Sequence, residues 1–410
     1  MFFAVYSGIT SIPIIVAIFG TIIVSGFIYV SSFLKPSSTI PKLYFKESAL
    51  ASHLLKRCRL MNRKFDPPWY LRNEHVQTIV SYLIPKISKE FDREYLQIKD
   101  RGVVALDWAL HVSVYKRKRC TVLIILPGLT ASAYDVSNMC SLAAHKGFRP
   151  VVFNPRGFGN SVLTTAKILS TGDPYDMREV VKYIHGRFPK ALVSMVGYGT
   201  GCSIMLSYLG EFGSSANICA SACISACFDS PERISKGIQG IYDIFYMLKL
   251  KFILNAHSKT FSKIVNFHEL LNCWSYKRFE EILYSKLYNI SSVDDFIERN
   301  NPLRDADEIA VPLLFINSLD DPFYSKMKIP YELCKYYPHI LMVSTNKGGH
   351  CGFIDKLWDV SWAETLALDY LDSVLDFTNK GHRINYEYYI QSVNLIQIDS
   401  ILERTLEITH

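Results

Sequence analysis

The chain has 410 residues, 49% of them hydrophobic and 20% charged, with a formal net charge of +7. That composition supplies a large buried core and room for a domain with additions, and it excludes a disordered chain or a coiled coil. Ten cysteines, at positions 58, 120, 140, 202, 219, 223, 227, 273, 334 and 351, form no C-x-x-C pair and no Cys/His ligand spacing, so no metal, no cofactor and no dense disulfide framework is expected.

The first element is apolar. Met1 to Leu34 carries no charged residue. Residues 8–34, rich in Ile, Val, Phe and small side chains, are long enough at about 1.5 Å per residue to cross a hydrocarbon core of about 30 Å. One transmembrane helix is predicted, with Pro13 near its start, where a helix tolerates proline best. A cleavable signal peptide would carry a basic start and a shorter apolar run. Residues 35–66 then read as a basic juxtamembrane linker. Within residues 35–64, Lys35, Lys42, Lys46, Lys56, Arg57, Arg59, Arg63 and Lys64 face a single acid, Glu47, an excess equal to the net charge of the whole chain. The remainder is balanced, so membrane and not nucleic acid is the expected partner. The positive-inside rule would keep the large domain cytoplasmic. The one sequon, Asn289-Ile290-Ser291, is usable only on the lumenal side, so sidedness and organelle stay open for this single-pass membrane protein.

Residues 67–378 read as one α/β domain. Cys120 to Leu126 is a continuous apolar run ending in Pro127-Gly128, as expected of a strand buried on both faces of a parallel sheet. Arg149 to Phe153, Ala191 to Val196 and Val311 to Asn317 repeat the pattern. Asp135 to Lys146, Gly172 to Phe188 and Cys202 to Glu211 are the intervening helices. This alternation predicts a mostly parallel, doubly wound sheet. Cys219, Cys223 and Cys227 recur every fourth residue, a spacing that suits one face of either a strand or a helix; as small buried thiols they need no redox role. Helical stretches between about 229 and 310 suit either a cap insertion over the sheet's carboxyl edge or ordinary packing helices. The tail, 379–410, is polar and mixed.

Val196-Gly197-Tyr198-Gly199-Thr200-Gly201 has the outline of the G-x-S-x-G nucleophile elbow, with glycine where the attacking serine would stand. Acyl transfer by that design needs a lone pair at the tip of the turn, and Gly199 supplies none. Thr200 belongs to a position pointing away from the tip. Cys202 and Ser203 fall in the first turn of the following helix, where packing or capping is their expected role. Ser161 lies in another loop. A water activated by a nearby base is the remaining substitute.

Six motifs recur in order across roughly residues 67–371. They are Asn73-Glu-His75-Val-Gln77-Thr78, Leu126-Pro-Gly-Leu-Thr130, Phe153-Asn-Pro-Arg156-Gly157-Phe-Gly159-Asn-Ser161, Gly172-Asp173, Asn317-Ser-Leu-Asp-Asp321-Pro-Phe323 and Gly348-Gly-His350-Cys-Gly-Phe353. With them the chain resembles the AB hydrolase 4 family, membrane-anchored lipid esterases with the α/β-hydrolase fold and a helical cap. The resemblance implies a charge relay with Asp321 as acid, preferred to its neighbour Asp320, and His350 as base. It also implies an oxyanion hole from the backbone N–H groups of Leu129 and Thr200. The nucleophile position is Gly199. A lipid or carboxylic-ester ligand and a membrane follow as partners. The expected function is that of a phospholipase or monoacylglycerol lipase relative with impaired catalysis. An active hydrolase using another nucleophile or water, and a non-catalytic lipid- or partner-binding protein, are the alternatives.

Overall fold

Alternating strand and helix segments assemble, in the computed structural model, into a single nine-stranded sheet with helices on both faces. The structure describes residues 40–379 except 85, 87–89, 111–119, 129, 169, 229–240, 264, 289–292, 324–328 and 356–360. The expected transmembrane helix at 8–34, Leu129, the sequon and all but the first residue of the tail lie outside the described residues. Among those described, no helix is long and apolar enough to cross a membrane.

The strands are β1 Lys42–Tyr44, β2 Phe91–Gln97, β3 Val103–Ala109, β4 Thr121–Leu126, β5 Arg149–Asn154, β6 Leu192–Tyr198, β7 Ala220–Ile224, β8 Leu313–Ser318 and β9 Ile340–Thr345. Their order is β1-β9-β8-β7-β6-β4-β5-β3-β2. The block from β9 to β5 is parallel. Antiparallel β1 closes one edge on β9, and the β2–β3 hairpin closes the other on β5. The four parallel strands expected from their apolar runs are present within a residue or two of the expected ends. The edge strands carry weaker patterns, because one side of each meets solvent.

Helices α1 Ala49–Arg57, α2 Glu74–Leu83, α3 Ser137–His145, α4 Tyr175–Arg187 and α5 Thr200–Phe212 precede β7. Between β7 and β8 come α6 Ile241–Ala256, α7 Ser258–Phe261, α8 Phe267–Asn272, α9 Tyr276–Leu287 and α10 Val293–Asn300; α11 Tyr331–Tyr336 and α12 Trp362–Asn379 follow. Strand alternation divides the core. In β4, Leu123 and Ile125 pack with α1, α3 and α12, while Val122, Ile124 and Leu126 pack with α4 and α5 on the opposite face. Burial on both faces explains the uninterrupted apolar sequence.

The cysteine triplet does not share a face. Cys223 lies on β7 toward the core that contains α5, whereas Cys219 packs against the other core. The strand is only five residues long, so its flanks leave the pleat. The helices between β7 and β8 enclose a third apolar cluster. Met247, Leu250 and Leu254 of α6 meet Phe279 and Leu283 of α9, with Phe158 and Leu163 from the loop after β5. These helices thus form a layer with its own core, distinct from the layers that flank the sheet.

The β6–α5 turn leaves no room for a side chain at Gly201. A Cβ there would stand 2.2 Å from the Leu126 carbonyl oxygen and 2.6 Å from that of Pro127. Backbone of β4 and the first turn of α5 would have to separate. Gly201→Ala is expected to destabilise the protein by about 2–3 kcal/mol, read as a lowered urea midpoint at unchanged slope.

Candidate functional site

The site forms where β6 runs into α5. Gly199 sits at φ +50° and ψ −116°, a backbone state open to glycine and strained for any other residue. A Cβ at this position would lie 3.2 Å from Nε2 and 3.5 Å from Cε1 of His350. The elbow tip therefore faces the outer ring nitrogen of the histidine.

The other ring nitrogen is engaged. His350 Nδ1 lies 2.8 Å from Asp321 Oδ2, and the buried Asp321 accepts the Phe323 N–H on Oδ1 at 2.9 Å. The neighbouring carboxylate diverges. Asp320 Oδ1 accepts the Gly349 N–H at 3.0 Å and the hydroxyl of Ser318, and its Oδ2 is 3.5 Å from Lys347 Nζ. Asp320 thus braces the loop that carries His350, while Asp321 holds the imidazole. Phe323 stacks on that imidazole with centroids 4.3 Å apart, and Tyr242 of α6 packs behind Phe323 at 4.8 Å.

Two polar residues of α2 fix the histidine loop, although the sequence pattern pointed only to their motif and not to this role. Asn73 caps α2 by accepting the N–H groups of His75 and Val76. One turn on, fully buried Gln77 donates to the Ile354 carbonyl at 3.1 Å and accepts the Ile354 N–H at 3.0 Å. The Thr78 hydroxyl accepts the His350 N–H at 2.9 Å. Gln77 and Thr78 are positioning residues, and the polar stretch Asn-Glu-His-Val-Gln-Thr before an apolar run was their signal.

Burial would lower the imidazole pKa, but the charge of Asp321, the adjacent Cys351 and hydrogen bonds to both outweigh it, and the value is raised well above the ordinary one. The Asp321 carboxylate thus favours the charged form of the imidazole. A raised histidine pKa contributes stability that is fully present below about pH 6.5, the unfolded value, and is lost as pH rises through the folded value. The stability advantage of the wild type over His350→Gln should accordingly be flat in mild acid and shrink on the alkaline side. Urea midpoints across that range check it; an advantage that grows with pH would contradict the assignment.

A cavity of about 790 Å³ opens from Gly199 and His350 toward α2 and α6. Tyr82, Leu83, Phe245 and Leu248 line its apolar part, and Lys86, Lys249 and Glu364 are among its charged residues. Glu364 accepts the Tyr198 hydroxyl at 2.9 Å, and burial raises its pKa. Thr200, at the start of α5, also lines the cavity; Leu129 lies outside the described residues.

The substitute nucleophiles fall in different places. Cys202 is fully buried with its Sγ 3.6 Å from the Ile224 carbonyl, and burial together with Cys223 drives its pKa well up. Ser203 is buried in α5. Ser161 accepts the Gly157 N–H and donates to the Pro155 carbonyl, closing its own loop. A thiol not singled out by sequence, Cys351, does line the cavity, and its proximity contributes to the raised His350 pKa. Its backbone lies in the left-handed region, at φ +56°. Among the described residues, no group of three or more His, Cys, Asp or Glu could hold a metal ion.

A family model described as alpha/beta hydrolase fold matches residues 121–357. The chain is 33% identical over 355 residues to Protein ABHD15 of Homo sapiens, covering 83% of this chain and 76% of that protein. It is 26% identical over 354 residues to Phospholipase ABHD3 of Homo sapiens, covering 83% and 85%. To Monoacylglycerol lipase ABHD2 of Mus musculus the identity is 22% over 373 residues, covering 83% and 87%. On the sheet order, the elbow between β6 and α5, and these matches across most of its length, the chain belongs to the alpha/beta hydrolase fold family.

Proposed function

We propose that this protein is a membrane-anchored relative of the lipid and carboxylic-ester hydrolases that takes a lipid or ester into its cavity and has lost, or severely weakened, serine hydrolysis. The observation that carries the reading is Gly199 at the elbow tip beside His350 Nε2: acid and base are in register, and no attacking oxygen stands between base and bond. In this reading Asp321 orients His350, and the backbone N–H groups of Thr200 and Leu129 are the oxyanion donors. The apolar cavity and the names of two relatives, a phospholipase and a monoacylglycerol lipase, support a lipid ligand. Residues 8–34 and the basic segment after them supply the single-pass anchor. No cofactor enters.

The test is the wild-type protein, incubated with a phospholipid, a monoacylglycerol and a fluorophosphonate probe. Neither turnover above background nor a covalent adduct is expected. An adduct would overturn the reading. Turnover without an adduct would favour a second reading, in which the thiol of Cys351 attacks with His350 as base, and Cys351→Ser would then abolish it.

A further inference from the structure

We infer that the outer face of α6, with the exposed end of α2 and with Trp274, docks on a lipid bilayer that carries anionic headgroups and sets the mouth of the cavity against it. Helix α6 reads Ile-Tyr-Asp-Ile-Phe-Tyr-Met-Leu-Lys-Leu-Lys-Phe-Ile-Leu-Asn-Ala, apolar around its whole circumference, a pattern that belongs to a helix covered on all sides. Only one side is covered. Met247, Leu250 and Leu254 recur at three and four residues and are fully buried in the core of the helical layer. On the opposite side Ile244, Phe245, Leu248 and Phe252 form a second stripe, and all four are exposed, Phe252 to 81%. The C-terminal half of α2 adds Ile79, Tyr82 and Leu83 on one of its own faces, again exposed, Leu83 to 68%. The patches are continuous. Lys249 Nζ of α6 lies 4.9 Å from the ring centroid of Tyr82 in α2, and Lys251 Nζ lies 3.3 Å from that of the exposed Trp274. Single exposed apolar side chains are ordinary, but a continuous patch with a polar border marks a contact surface.

Charge selects the partner. At about 100° per residue around a helix, Lys249 and Lys251 fall on the two borders of the exposed stripe. Each ammonium sits over an aromatic ring, Tyr82 on one border and Trp274 on the other. That is the layout of an interfacial helix, in which apolar side chains enter the acyl boundary while Lys, Tyr and Trp stay at headgroup level. The acids of the two helices are turned to other partners. Asp243 accepts the Tyr276 N–H at 3.0 Å, and Glu74 is 3.8 Å from Lys347 Nζ. A second copy of the same face would bring lysine against lysine with no acid to offset them, whereas anionic headgroups complement them. Ile79, Tyr82, Leu83, Phe245 and Leu248 also line the cavity, so the face rims its mouth and an acyl chain passes from bilayer to cavity along apolar side chains. The surface shares with the proposed function only this cavity; it needs neither the anchor at 8–34 nor the loss of hydrolysis.

The experiment is photolabelling of the full-length protein in phosphatidylcholine vesicles, with and without phosphatidylserine, by a phospholipid that carries a diazirine in its acyl chain. Labelled peptides are mapped by mass spectrometry. Adducts are expected on α6 and α2, rising at least about threefold with phosphatidylserine. Ile244→Ser combined with Phe252→Ser changes two exposed residues that do not line the cavity. It should cut those adducts at least about fivefold at an unchanged urea midpoint. Lys249→Glu combined with Lys251→Glu should remove the dependence on phosphatidylserine. Adducts confined to residues 8–34 overturn the docking surface and leave the anchor standing. Adducts on α6 that survive the two serines, beside adducts at Thr200 and Cys351, come from a lipid inside the cavity; they overturn the surface and support the lipid-ligand reading. Labelling indifferent to phosphatidylserine overturns the anionic partner. Cross-links from α6 to a second copy, or to residues 8–34, give the face to that occupant and overturn the bilayer. If the serine pair does not fold, the lysine pair and the phosphatidylserine series decide.

Discussion

Gly199→Ser is expected to give ester hydrolysis and fluorophosphonate labelling where the wild type shows neither. A serine Cβ would stand 3.2 Å from His350 Nε2, which puts its hydroxyl within hydrogen-bond reach after a shift of a few tenths of an ångström by the ring. Loss of the serine from a relay enzyme leaves only what oxyanion hole and binding supply, so restoring it should raise turnover by about 10³- to 10⁶-fold. The gain comes with strain. A non-glycine residue at φ +50° and ψ −116° costs about 1–3 kcal/mol. The serine variant should therefore melt a few degrees lower, and Gly199→Ala should show the same loss without activity. In the serine background Asp321→Asn should lower kcat by about 10⁴-fold, because the imidazole then loses its tautomer and its counter-charge. An inert, folded serine variant would mean that the acyl pocket or oxyanion hole is incomplete, and the proposed ancestry of the site would have to be abandoned.

The largest loss of stability is expected at Arg156. Its guanidinium is 1% exposed and makes a bidentate pair with Asp176, Nε to Oδ2 at 2.7 Å and Nη2 to Oδ1 at 2.6 Å, while Nη1 reaches Asp100 Oδ2 at 2.8 Å. Burial already raises the Asp176 pKa, and Arg156 is the main influence pulling it down. Arg156→Met would leave that carboxylate buried without its partner, at a cost of about 3–5 kcal/mol. Replacing both, Arg156→Met with Asp176→Leu, should recover a large part, since the uncompensated charge and not the lost attraction dominates the penalty. Urea midpoints of the two singles and the double form the cycle. Additive losses would show that the pair is not coupled, contrary to its geometry. The consequence reaches the site, because the Asn154–Pro155–Arg156–Gly157 loop supplies Phe158 to the core of the helical layer that lines the cavity.

Several features were legible in the sequence for a local reason. Strands β4, β5, β6 and β8 are buried on both faces over most of their length, so their sequences are predominantly apolar rather than alternating. The glycine at position 199, between Gly197 and Gly201, is visible without coordinates. The motif order alone pointed to Asp321 and His350. The antiparallel β2, by contrast, alternates half-buried and exposed positions and contains charged residues that suit a loop equally well; its pairing with β3 settles its state.

What only the tertiary structure decided depends on groups far apart in the chain. Gln77 and Thr78 reach residues more than 270 positions away to hold the His350 loop, and no local pattern encodes that contact. Asp320 and Asp321 are adjacent and chemically alike, yet the turn after β8 sends one to the Gly349 N–H and the other to the imidazole. Cys351 was one thiol among ten until the fold brought it, with His350, to the cavity wall. Sequence by itself pointed to Asp321 and His350 as relay candidates and to a glycine at position 199, because residue type is read without coordinates. The direction in which His350 Nε2 points, toward Gly199, arises from the packing of β6, α5 and α2 against one another, because distance and desolvation exist only once the chain is folded.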